Sequence, residues 1–435
     1  MRYYILIFLF ISCSLTASSQ VYWNISPAPF SGNYRINDVF MINQRTGYAA
    51  GSEGMIAKTT DSGKTWATSY YNPNSYWRSI EFINERKGFA GGFPGAGNNI
   101  ILAVTEDSGR TWMDITSRLP QPARKGICGM AVADEQTIYA GGNWFDSTGY
   151  LVKSTDGGAT WSFIDMSAYT TSVIDMYFIN KDEGFVTGKS TKPLETAIIL
   201  HTTDGGQNWS VKYKNTTPSE YCWKIQRLTS QLYFASIEDN VNGNAKILKS
   251  ADGGMNWQVL NVVQATVPNH LQGVGFIDEL HGWAGGWIDS TYETKDGGLT
   301  WKKTGVCPYM NRAVKINDST MIAVGDNIWM YRKNGFSIEP PPPQVYTAHA
   351  SFKAYPNPAN KNNRLNIRLT LPGPTQVMML LFNSEGRNVL TIDNSYHYTG
   401  VYDFSIPTWK FPGGVYTVFM KTHDDKQVQQ VVFTH

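Results

Sequence analysis

The chain has 435 residues and a formal net charge of +2, with only 17% of its residues charged. No run of Lys or Arg stands out, so electrostatics argue for neither nucleic acid nor an anionic membrane surface as a partner. A hydrophobic fraction of 42% provides for a large core, and abundant Gly, Trp and Tyr suit a strand- and turn-rich chain rather than a helical one.

Residues 1–19 read as a signal peptide. Arg2 supplies the positive start, Ile5–Ile11 is apolar, and Ala17-Ser18-Ser19 offers small residues for cleavage before Gln20. The apolar run is too short for a transmembrane segment, and no later stretch is apolar enough to be one. The lead-in Phe10-Ile11-Ser12 argues against a lipid anchor on Cys13. Cys128, Cys222 and Cys307 are too far apart for a CxxC metal knuckle and read as buried thiols, with one disulfide at most.

The next 319 residues, 20–338, repeat. "TTDSGKTW" at 59–66 returns as "TEDSGRTW", "STDGGATW", "TTDGGQNW", "SADGGMNW" and "TKDGGLTW", with aspartates at Asp61, Asp107, Asp156, Asp204, Asp252 and Asp296. Their separations are 46, 49, 48, 48 and 44 residues. Before each box lies a small-residue stretch such as "GYAAG" or "GFAGG", and before that an alternating apolar run. Four short strands at this period predict one propeller blade per repeat. Residues 311–336 supply three strands of a seventh blade without a box. "VYWNIS", which places Trp23 as "TWATSY" places Trp66, is expected to be its fourth strand and to close the ring.

The box chemistry reads as a structural clip. The aspartate accepts backbone N–H bonds in a turn, the glycine two residues on takes a positive φ, and the flanking hydroxyl or amide residues tie the strands together. The tryptophans Trp66, Trp112, Trp161, Trp209, Trp257 and Trp301 then pack between blades. One carboxylate per box is too few for calcium, and no metal or other cofactor is expected. The box resembles the Asp-box of sialidases and BNR-repeat proteins, where it sits on the rim away from the catalytic face. The longer unit "GYAAGSEGMIAKTTDSGKTW" resembles the photosystem II assembly factor family, the Ycf48/Hcf136-like propellers. That resemblance implies an all-β, seven-bladed, non-enzymatic binding scaffold, and it does not carry a photosystem partner with it.

"PPPP" lies in a stiff linker over 339–350, and the composition changes after it. Residues 351–435 alternate like a small antiparallel β-sandwich. "YPNP", "LFNSEGRNV", Gly414-Val415-Tyr416 and "VQQVVF" resemble the type IX secretion C-terminal sorting domain of Bacteroidetes proteins. The resemblance implies handling by the type IX secretion machinery, passage through the periplasm, and a secreted or surface-attached product.

Catalytic candidates are few. "YRIN", with Arg35, echoes the sialidase arginine motif but has Asn37 in place of proline, and the other arginines, Arg78, Arg124 and Arg312, have no matching context. Asp289 and Glu293 are the nearest thing to the opposed carboxylates a glycoside hydrolase needs. Box-bearing xyloglucan hydrolases pair two propellers, and this chain has room for one. Ligand-binding candidates are Trp77, Arg78, Trp144, Phe145, Trp223 and Trp287, in loops expected where the inner strands begin. The sequence therefore points first to a secreted protein- or glycan-binding propeller, and second to an extracellular glycoside hydrolase on the same scaffold.

Overall fold

The computed structural model describes residues 21–30, 35–94, 100–142, 148–241, 243–263, 270–288, 290–336, 349–372, 375–397, 400–422 and 425–434. The chain divides into two compact units at the 338–339 boundary.

The first unit is a seven-bladed β-propeller of four-stranded antiparallel sheets. The innermost strands of blades 1 to 7 are Ile36–Met41, Tyr76–Phe82, Gly129–Val132, Thr170–Phe178, Glu220–Arg227, Leu271–Phe276 and Arg312–Asn317. Six blades are continuous in sequence. The seventh takes its outer strand, Val21–Ile25, from the N-terminal end, antiparallel to Ile328–Phe336 with Trp23 opposite Tyr331. Trp23 meets Trp283 of blade 6 edge-on at 5.0 Å, so the closing strand is packed as well as hydrogen-bonded. The ring also closes through the backbone: Ile36 N–H donates to Gly325 O at 2.8 Å.

The seams between blades are built from the repeated residues. The second-strand aromatic of one blade stacks on the inner-strand aromatic of the next, as with Tyr48 on Phe82, Tyr139 on Phe178 and Phe234 on Phe276, at 4.0, 3.6 and 3.6 Å. Each inner strand ends in a side-chain-capped turn. Asn43, Asn84, Asp134, Asn180 and Asp278 each accept two N–H bonds from residues two and three on, and the Thr229 hydroxyl does the same.

The boxes are clips of one geometry. In the third, the Ser154 hydroxyl donates to Asp156 at 2.8 Å and accepts from Gly158 N–H, while the Thr160 hydroxyl and N–H donate to the same carboxylate. Two successive residues after the aspartate have positive φ, not one: Gly157 at 68° and Gly158 at 88°. The clip also latches to the preceding blade. Lys153 Nζ donates to Gly205 O of the next box at 3.0 Å, and Lys58 and Lys249 do likewise with Ser108 O and Gly297 O. The box tryptophans fill the same seams; Trp66 packs with Ile322 and Val324 of blade 7.

The second unit packs a three-stranded sheet, Ser351–Tyr355, Arg364–Leu371 and Gly400–Pro407, on a five-stranded one ending in Lys426–Thr434. Their inward alternation buries one core around Leu365, Ile367, Met379, Leu381 and Val418. Asn357 of "YPNP" accepts from Val432 N–H and donates to Gln430 O, both at 2.9 Å. The Gln427 and Gln429 side chains bridge to the backbone of Ala350, Phe352 and Ala354. Two of the four sorting-domain motifs, "YPNP" and "VQQVVF", thus bind each other.

Candidate functional site

Strand order sorts the loops onto two faces. The box hairpins share one face with the turns that end the inner strands. The opposite face carries the loops that lead into the inner strands.

Beneath that opposite face, polar side chains from all seven blades converge on the axis. Arg35 donates to Gln272 Oε1 at 2.5 Å and to the Tyr309 and Met310 carbonyls. Gln272 donates to Glu238 at 2.9 Å, which also takes bonds from Trp223 Nε1 and His270. Trp223 lies under Arg78, whose guanidinium carbon is 5.5 Å from its ring. Arg78 donates to Asn37 at 3.2 Å and faces Cys128 of blade 3, and Asn311 donates to Asn37 as well. Thr187 of blade 4 donates to Trp223 O at 2.7 Å. Burial, and then the charge of Arg78, brings the Arg35 guanidinium down to about 9.

One tier deeper is an ionic cluster. Arg312 pairs with Asp38 and with Asp175, the latter at 2.6 Å, and Lys224 lies 3.7 Å from Asp175. Asp38 accepts from Ile80 N–H and Asp175 from Ile225 N–H, each at 3.0 Å, so both carboxylates clamp the next inner strand. Sequence reasoning passed over this cluster.

The expected site residues divide sharply. Trp77 is fully buried, its Nε1 donating to Gly54 O at 3.1 Å, so it offers no face to a ligand. Trp223 and Arg78 are buried in the axial ring. Arg312 is held by Asp38 and Asp175, and Arg124 is spent on the Leu119 and Ser117 carbonyls. Trp287 is 49% exposed, lies over Arg35 at 4.8 Å, and meets the exposed Tyr309 edge-on at 5.7 Å. Trp144, Phe145 and Asp289 lie outside the described residues. Glu293 is on the third strand of blade 6, in the slot that Lys58, Lys153 and Lys249 fill elsewhere. His281 holds it at 2.7 Å. Burial opposes its ionisation, but the His281 bond and the charge of Lys295 keep its carboxyl below the usual range. A carboxylate so held is a poor general acid. Cys128, Cys222 and Cys307 are buried free thiols.

The blades and boxes define a class: a seven-bladed Asp-box β-propeller followed by a β-sandwich. Comparisons with known proteins sharpen this. Residues 140–266 match the family model described as photosynthesis system II assembly factor YCF48, and residues 353–434 match the secretion system C-terminal sorting domain. The photosystem II assembly lipoprotein Ycf48 of Synechococcus sp. (strain CC9902) is 23% identical over an alignment of 283 positions that covers 56% of this chain and 79% of that one. YCF48 from Cyanidioschyzon merolae superposes with a TM-score of 0.53 at 16% identity, covering 72% of this chain and 98% of that one. A structure of YCF48 bound to D1 peptide gives 0.53 and 16%, over 71% and 96%. A GH74 enzyme from Niastella koreensis gives 0.53 and 12%, over 94% and 74%. At these identities the solved structures establish the fold alone. The chain resembles the Ycf48 propellers, carries a sorting domain of the type IX kind, and is on that account a secreted or surface-attached propeller. No described helix is long and apolar enough to cross a membrane.

Proposed function

We propose that this protein is an exported binding module whose partner, a protein segment or a glycan, docks on the propeller face opposite the Asp-boxes. The observation that carries this is the exposed Trp287–Tyr309 pair over the buried Arg35 guanidinium. An aromatic ring held by a cation from below is rigid, and its free face serves a peptide side chain or a sugar ring with little ordering cost. Arg35 itself is fixed by Gln272 and two carbonyls, so the platform is preorganised. A protein segment is favoured, because a scaffold of the same fold is known with a D1 peptide bound.

The rival reading, a glycoside hydrolase, has the GH74 likeness of fold in its favour. Glu293, tied to His281 in a blade seam, weighs against it. Peptide and glycan arrays probed with the full chain, beside sugar-release assays on polymeric glycans, separate the two. Retained array signal without sugar release is expected. Sustained release that Glu293→Gln abolishes would overturn the binding-only reading.

A further inference from the structure

The other end of the axis, on the box face, has chemistry that the Trp287 platform does not use. A cavity of about 460 Å³ opens there among the ends of the inner strands, within the size range of small-ligand sites. Lys224, Arg312, Arg227, Lys315, Glu81 and Tyr177 are among its lining residues.

Three observations point to an anion. Lys224 is 1% exposed, yet its Nζ finds no hydrogen-bond partner within the protein, and Asp175 at 3.7 Å is beyond bonding reach. A buried ammonium left so is costly unless a ligand or solvent satisfies it. Arg227 spends one nitrogen on the Tyr177 hydroxyl at 3.3 Å, but its buried Nε is likewise unpartnered. The acids nearby are already engaged: Arg312 and backbone N–H groups hold Asp38 and Asp175. Lys315 is paired with the exposed Asp318 at 2.7 Å. Burial, and then the charge of Asp38, pushes the Glu81 carboxyl above its usual range, against the pull of Arg312 and Lys224.

We propose that this cavity is a binding site for a small carboxylate, which accepts hydrogen bonds from Lys224 Nζ and Arg227 Nε beside Glu81. A free aliphatic acid and an acidic sugar present the same group. Calorimetric titration of the full chain at neutral pH with glutarate, glucuronate and glucose tests the site. The expected result is binding of at least one acid and none of glucose; glucuronate alone would identify an acidic sugar, and both would identify the carboxylate itself. Arg227→Gln should weaken binding at least about tenfold, as loss of a charge-assisted bond does. Lys224→Met should abolish it, and Trp287→Ala, at the far face, should leave it unchanged. Arg227 lies on the cavity's exposed side, so its variant keeps the test sound if Lys224→Met fails to fold. No binding of either acid, equal binding of glucose, or an affinity indifferent to Arg227→Gln would overturn the proposal.

Discussion

Arg312 of blade 7 reaches Asp175 of blade 4 across the axis at 2.6 Å, a pair separated by 137 residues in the chain. The same guanidinium pairs with Asp38 of blade 1. Three blades are therefore fastened at the centre by one cation, and each carboxylate in turn clamps the neighbouring inner strand. Arg312→Met would leave two buried carboxylates with Lys224 as their remaining close cation. It should destabilise the propeller by about 3–5 kcal/mol, measured by denaturant unfolding, because breaking a buried pair from one side strands its charge.

The box glycine is a second point of no tolerance. Gly158 has φ of 88°, and a Cβ there would stand 2.4 Å from the Phe89 ring of the preceding blade. Gly158→Ala should cost about 2 kcal/mol through backbone strain and overpacking together. Gly386→Ala serves as its comparison. That residue also has positive φ, but an added Cβ would meet nothing within 4 Å, so its loss should be the smaller.

Much of this architecture is legible in the sequence. The recurring box counts six blades, the remnant at 311–336 gives the seventh, and Trp23 announces the closing strand. Local chemistry governs those features, since a turn needs its aspartate and glycine wherever it occurs. The axis is a different matter. Asp38, Asp175 and Arg312 meet only because ring closure brings three inner strands to one point, and no spacing along the chain records it. Trp77 misleads for a related reason. It sits at the start of an inner strand, where loops meet solvent, but its ring turns into the seam under Gly54. Glu293 misleads because its slot takes Lys in blades 1, 3 and 5, so its blade-seam role is visible only when the repeats are aligned in space.

Acid should unfasten the boxes. Bonds from the residue four positions on, by side chain and N–H, hold Asp107, Asp156, Asp204, Asp252 and Asp296 to about 2, below the usual 3.8. A depressed carboxylate favours the folded state above its unfolded pKa, and that contribution disappears as pH falls through the folded value. Between about pH 4 and 2 the propeller should therefore lose stability progressively, on account of these groups. Thermal unfolding followed across that interval checks it. Asn substitution of several box aspartates should flatten the decline.

The placement of the ligand face is the central claim, and paired surface substitutions test it most directly. Trp287 is 49% exposed on the face opposite the boxes, and Leu299 is 74% exposed within the sixth box. The strongest peptide or glycan retained on the arrays is to be titrated against the full chain and against Trp287→Ala and Leu299→Ala. Trp287→Ala should weaken binding by at least about tenfold, the scale of a buried aromatic anchor, while Leu299→Ala leaves it unchanged. The reverse pattern, with binding lost in Leu299→Ala and intact in Trp287→Ala, would contradict the account.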